Sequence, residues 1–170
     1  MLANSGNTMA GHIIGALAHA VLVATIICVV AAAAEGVLAG SGVRQRFQEL
    51  RLPAAAPPMR LWVLIGVAYY VIAFTLLVRL QIAGPTSAAR ASFVLLLVIL
   101  SANAIWNYIF FRAKNLAGTL ALSVGYSVCV LALQVLLAAS DRVSAAVLLP
   151  YTLYLGYANW LQYELWRLNR

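Results

Sequence analysis

Charge is what this sequence has least of: only 9% of its 170 residues are charged, and only four are acidic, Glu35, Glu49, Asp141 and Glu164. Four scattered carboxylates supply no general acid and base pair, and no nucleophile, base and orienter set can be built around them. Histidine is as scarce. His12 and His19 share one helix face, but no Cys, Asp or Glu lies near them at ligand spacing, so a metal site lacks its remaining ligands. The two cysteines, Cys28 and Cys129, each lie inside an apolar run, where they read as small buried residues rather than a disulfide or a metal pair. The 11 Lys and Arg give a net charge of +7, yet no basic patch with interleaved aromatics stands out, which excludes a nucleic-acid partner. The expectation is a protein that is not an enzyme and requires no metal or cofactor.

What the chain does have is apolar length. It is 65% hydrophobic, and its mean hydropathy of +0.95 is beyond what a soluble domain tolerates. The apolar runs are about 20 residues each, and at ~1.5 Å per residue each can cross a hydrocarbon core of about 30 Å. The runs predict an all-α integral membrane protein, a single domain over residues 1–170 built as a bundle of five transmembrane helices near 11–38, 61–80, 90–111, 117–139 and 144–168. The first run comes after a short uncharged tail without the basic region of a secretory signal, so it reads as a retained helix. Between the first two helices lies the one long polar stretch, residues 40–60, with Pro53, Pro57 and Pro58. At about 20 residues it exceeds an ordinary connector and reads as a lid or as a linker, with Phe47 and Leu50 marking a short amphipathic turn.

Lys and Arg are uneven between the two ends of such a bundle. Arg44, Arg46, Arg51, Arg60, Arg112, Lys114, Arg167 and Arg170 fall on one side, Arg79, Arg90 and Arg142 on the other. The richer side is expected in the cytoplasm, which puts the N-terminus outside and the C-terminus inside. Arg79 is expected to snorkel at its helix end. Glu35 and Glu164 sit near helix ends, so proton coupling has no evident carrier.

The stretch 101–112 is where the chain stops being generic. At about 100° per residue Asn103, Trp106 and Phe110 share a helix face with Asn107 close beside it, while Trp62, Gly66, Tyr69 and Ala73 share another face and Tyr154, Tyr157 and Leu161 a third. These faces read either as the walls of an apolar pocket with a polar anchor, or as helix-packing amides and an interfacial aromatic belt. Gln134 reads as interhelical glue, and Pro150 as a kink or a local opening of the last helix. Leu161, Tyr163 and Arg167 fit the Leu, Tyr, Arg spacing proposed for sterol contact. Tyr163 and Arg167, however, lie about 200° and about 240° from Leu161, on the lipid side of the helix.

Asn103-x-x-Trp106-x-x-x-Phe110-Phe111, then Pro150-Tyr151 and Leu161-x-Tyr163-x-x-Trp166-Arg167-x-Asn169, preceded by Phe47-x-x-Leu50-x-x-Pro53-x-x-x-Pro57-Pro58, resemble the translocator protein or tryptophan-rich sensory protein family (TspO/MBR). The resemblance implies a five-helix bundle, often a homodimer, in which the first loop covers a pocket for porphyrins, sterols or benzodiazepine-type ligands. It implies a receptor or regulator, or a transporter of the same ligands, with a porphyrin or haem-type tetrapyrrole as candidate occupant. Carried over, the pocket comprises Trp62 and Tyr70, Asn103, Trp106 and Phe110, and Tyr154, Tyr157, Ala158 and Leu161. The family's loop Trp is Ala55 here, its further helix 2 Trp is Gly66, its helix 4 acid is Leu122, its helix 5 Trp is Tyr154 and its helix 5 Asn is Gln162. These departures argue against porphyrin breakdown.

Overall fold

A computed structural model describes residues 3–170, and among them every regular element is helical. In chain order these are α1 (Ala3–Ala39), α2 (Val43–Glu49), α3 (Met59–Ile82), α4 (Ser87–Asn107, continued as a π-helical turn over Tyr108–Arg112), α5 (Leu116–Ser140) and α6 (Arg142–Leu168). Four segments are long and apolar enough to cross a membrane: Ile13–Ala39, Met59–Ile82, Ser87–Arg112 and Leu116–Ser140. The chain is thus an integral membrane protein with six helices among the described residues, four of them holding segments long and apolar enough to cross, where composition predicts five transmembrane helices. The added helix is α2, a two-turn piece inside the long polar stretch. At 27 residues α6 matches the spans in length, but Asn159, Gln162, Glu164 and its tyrosines make it the most polar long helix.

Boundaries reflect local chemistry. The first helix begins at Ala3 rather than near Gly11, because uncharged polar residues do not stop a helix. Thr86 caps α4 by accepting from Ala89 N, Asn115 caps α5 by accepting from Gly118 N, and Asp141 caps α6 by accepting from Val143 N and Ser144 N. Gly40 ends α1 at a φ of +72°, where a Cβ is disfavoured.

The core is aliphatic and small. Ala24 of α1, Ala73, Leu76 and Leu77 of α3, Leu96 and Ile99 of α4, Leu133 and Leu137 of α5 and Leu148 of α6 interlock in one cluster. The alanines allow backbones to approach, which is what drives helix association where lipid is as apolar as leucine. Ile13, Leu22, Val29, Val94, Val128 and Leu153 point outward, as lipid contact requires.

Polar cross-links fix the two ends. At one end Arg79 does not snorkel: its Nη2 lies 2.9 Å from Asp141 Oδ1 and its Nε donates to Ser144 Oγ, joining α3 to the head of α6. Gln134 of α5 donates to Ala145 O of α6 and accepts from Thr152 Oγ1, beside the place where Pro150 withholds an N–H. α6 runs through Pro150 without a break in its helical course.

At the other end the 40–60 stretch is fastened down. Arg46 is buried, donating to Phe110 O and Lys114 O, so it serves the carbonyls that end α4 rather than the surface. Lys114 Nζ meets Glu49 at 2.7 Å and holds that carboxyl below its usual range. Arg51 and Asn169 exchange two hydrogen bonds, Arg51 N to Oδ1 and Asn169 Nδ2 to Arg51 O.

Candidate functional site

Between α1, α3, α4, α5 and α6, under α2, lies a cavity of 510 Å³. Its α2 end is walled by aromatics. Trp106 and Phe110 stack at 4.7 Å with planes 9° apart, and Phe47 leans on Trp62, Phe110 and Phe111 at 6.3, 6.1 and 5.9 Å. The π-helical turn decides this arrangement, since its extra residue per turn rotates the downstream side chains and lets Phe110 fall back over Trp106 while Phe111 meets both edge-on. Leu50, Phe110, Leu116, Leu161 and Leu165 close the floor beneath Phe47 as a second cluster.

The polar residues of the cavity are tied into a network. Asn103 Nδ2 donates to Glu35 Oε1 at 2.6 Å, and Tyr70 OH donates to the same oxygen at 2.7 Å. Asn107 Nδ2 donates to Asn103 O. On the opposite wall Asn159 Nδ2 donates to Ser127 Oγ and Leu155 O, and Gln162 Nε2 to Thr119 Oγ1. Tyr126 and Tyr151 join their hydroxyls at 2.6 Å, with Tyr69 packed on Tyr151.

Most residues selected from sequence meet here. Trp62, Tyr70, Asn103, Trp106, Phe110, Tyr154, Ala158 and Leu161 all line the cavity. Tyr157 stands outside it, between Tyr154 and Trp160, and donates its hydroxyl to Ala55 O of the long loop at 2.7 Å. Tyr163 and Arg167 are exposed on the outer side of α6, Arg167 paired with Glu164 at 2.6 Å, whereas Leu161 is buried. His19 lies on the exposed side of α1; the side chain of His12 falls outside the described residues.

Several wall residues escape sequence reasoning, Asn159 and Ser127 among them, and Glu35 is the one with charge. Glu35 reads from sequence as peripheral, yet it faces the cavity and holds Asn103 and Tyr70. The only signal was its isolation, a single carboxylate within an otherwise uncharged span.

Residues 24–167 match the TspO/MBR family, most of the chain and the whole of the site. The chain belongs to the TspO/MBR family. Among the curated proteins there is no match. Membership supports a ligand-binding or transport role in a membrane. The cavity walls lie wholly within the TspO/MBR match, Glu35 included.

Proposed function

We propose that this TspO/MBR protein is a membrane receptor or regulator that binds a flat, apolar ligand of the porphyrin or sterol type in the cavity beneath α2. The observation that carries the reading is the pairing of a stacked aromatic wall, Trp106 on Phe110, with a polar group at Asn103 in a cavity of 510 Å³. Flat rings favour such surfaces, and a few placed polar atoms set orientation. In this reading α6 is the fifth span, the Arg-rich end is cytoplasmic, the 40–60 stretch is the lid, and the working unit is a homodimer. Binding, not turnover, is the activity.

Transport of the same ligands is the second reading, and Glu35 favours it. An ionisable side chain on the wall of a membrane cavity is the usual mark of a translocation path. Titration of the purified protein with protoporphyrin, read by Trp fluorescence and the porphyrin absorption band, tests the first reading. Saturable quenching lost in Trp106→Ala supports it, and the absence of saturable binding refutes it. Flux of the ligand into sealed proteoliposomes separates transporter from receptor.

A further inference from the structure

The cavity wall holds a carboxylate, Glu35, that meets no opposite charge among the described residues. Each side-chain amide nitrogen in its wall already donates to the protein: Asn103 to Glu35, Asn107 to Asn103 O, Asn159 to Leu155 O, Gln162 to Thr119. Chemistry fixes these orientations, because a carboxylate and a carbonyl only accept and Thr119 spends its own proton on Leu116 O. Tyr70 likewise spends its proton on Glu35.

Asn103, Asn107 and Gln162 each keep a second N–H, but the one charged group among the spare atoms is an acceptor. Glu35 Oε1 takes both donors, leaving Oε2 without a partner among the described residues, and no Lys, Arg or His there pairs with the carboxylate. Asn159 Oδ1 is fully buried with no partner among the described residues, and the buried hydroxyl of Tyr69 in the same wall, able to donate or accept, has none there either. Unpaired buried polar atoms are costly, and a carboxylate facing an apolar cavity is costlier still unless an opposite charge joins it.

We infer that the cavity selects a flat apolar cation, an aromatic amine or amidine whose charged N–H group is received by the uncompensated carboxylate of Glu35. The inference rests on the reading of the cavity as a flat-ligand site and adds the charge of the occupant. A cation at Glu35 gains a charge-assisted hydrogen bond from the carboxylate. A neutral ligand of the same shape leaves the carboxylate uncompensated.

The test uses the full chain in detergent at mildly alkaline pH with two probes of nearly one shape: 9-aminoacridine, a cation there, and acridine, which is neutral. Trp quenching is read against protein-free micelles. The parent is expected to bind the cation at least about tenfold more tightly than acridine, and Glu35→Gln, which keeps an acceptor for Tyr70 and Asn103, to hold acridine within about twofold while losing the preference. Glu35→Asp keeps the charge and should keep the preference, and with the parent ratio it decides the matter if Glu35→Gln does not fold. Equal binding of the two probes by the parent, or an undiminished preference in Glu35→Gln, overturns the inference. Protoporphyrin bound saturably by a parent that shows no cation preference leaves the flat-ligand reading standing and removes this one; no saturable binding of any of the three removes both.

Discussion

Asp141 carries two duties at one position, N-cap of α6 and partner of Arg79, and its carboxyl is held down to about 2, first by the hydrogen bonds from Arg79 and then by Ser144. A carboxyl whose folded value lies below its unfolded one, about 3.9, adds stability that is complete above that value and vanishes as pH falls through the folded one. The melting temperature should therefore fall between about pH 4 and about pH 2, and Asp141→Asn should be less stable at neutral pH and lack that part of the decline. A thermal-melt series against pH in the parent and the variant checks this. Glu35 is the residue that ties α1 to α3 and α4 at the cavity wall. Asn103→Leu or Tyr70→Phe removes one of its two donors, and either should cost roughly 1 to 3 kcal/mol in denaturant or thermal unfolding. Asn103 was legible from sequence, because its face carries Trp106 and Phe110; Glu35 was not. Its neighbours Ala31, Ala32, Ala33 and Ala34 are alike on every side, so periodicity has no contrast by which to say which way the carboxylate points.

At the scale of elements, the long helices are legible because twenty apolar residues have few alternatives in a chain this poor in charge. The short α2 is legible only as the spacing of Phe47 and Leu50, and the π-helical turn at Tyr108–Arg112 not at all, since an i to i+5 pattern has no composition of its own. Arg46 shows what the sequence conceals: counted as an exposed cation of the polar stretch, it lies inside, binding the carbonyls that the turn leaves behind. Arg46→Leu strands Phe110 O and Lys114 O and should lower stability by roughly 1 to 3 kcal/mol. It should also hasten tryptic cleavage at Arg51, because α2 loses its anchor. If the stretch is a lid, protoporphyrin should slow that cleavage in the parent; equal rates with and without bound ligand make it a linker.

At the scale of the molecule, the two ends differ in charge. Arg44, Arg46, Arg51, Arg60, Arg112, Lys114, Arg167 and Arg170 oppose Arg79, Arg90 and Arg142, and the difference predicts orientation. With Cys28 and Cys129 replaced by Ala, an impermeant maleimide added to intact cells should modify Ser87→Cys and spare Ser41→Cys and Arg170→Cys. Labelling of Ser87→Cys and Arg170→Cys together would mean that α6 does not cross and that four spans are the whole count. The paired hydrogen bonds of Arg51 and Asn169 bear on any such work, for they fasten the start of the proline stretch to the last turn of α6. Whatever is appended after Arg170 is attached, in effect, beside the anchor of the 40–60 stretch, so if that stretch is a lid, a purification tag or a fluorescent fusion there doubles as a handle on access to the cavity. Cutting the chain back by two residues removes the latch while leaving each long helix at its full length.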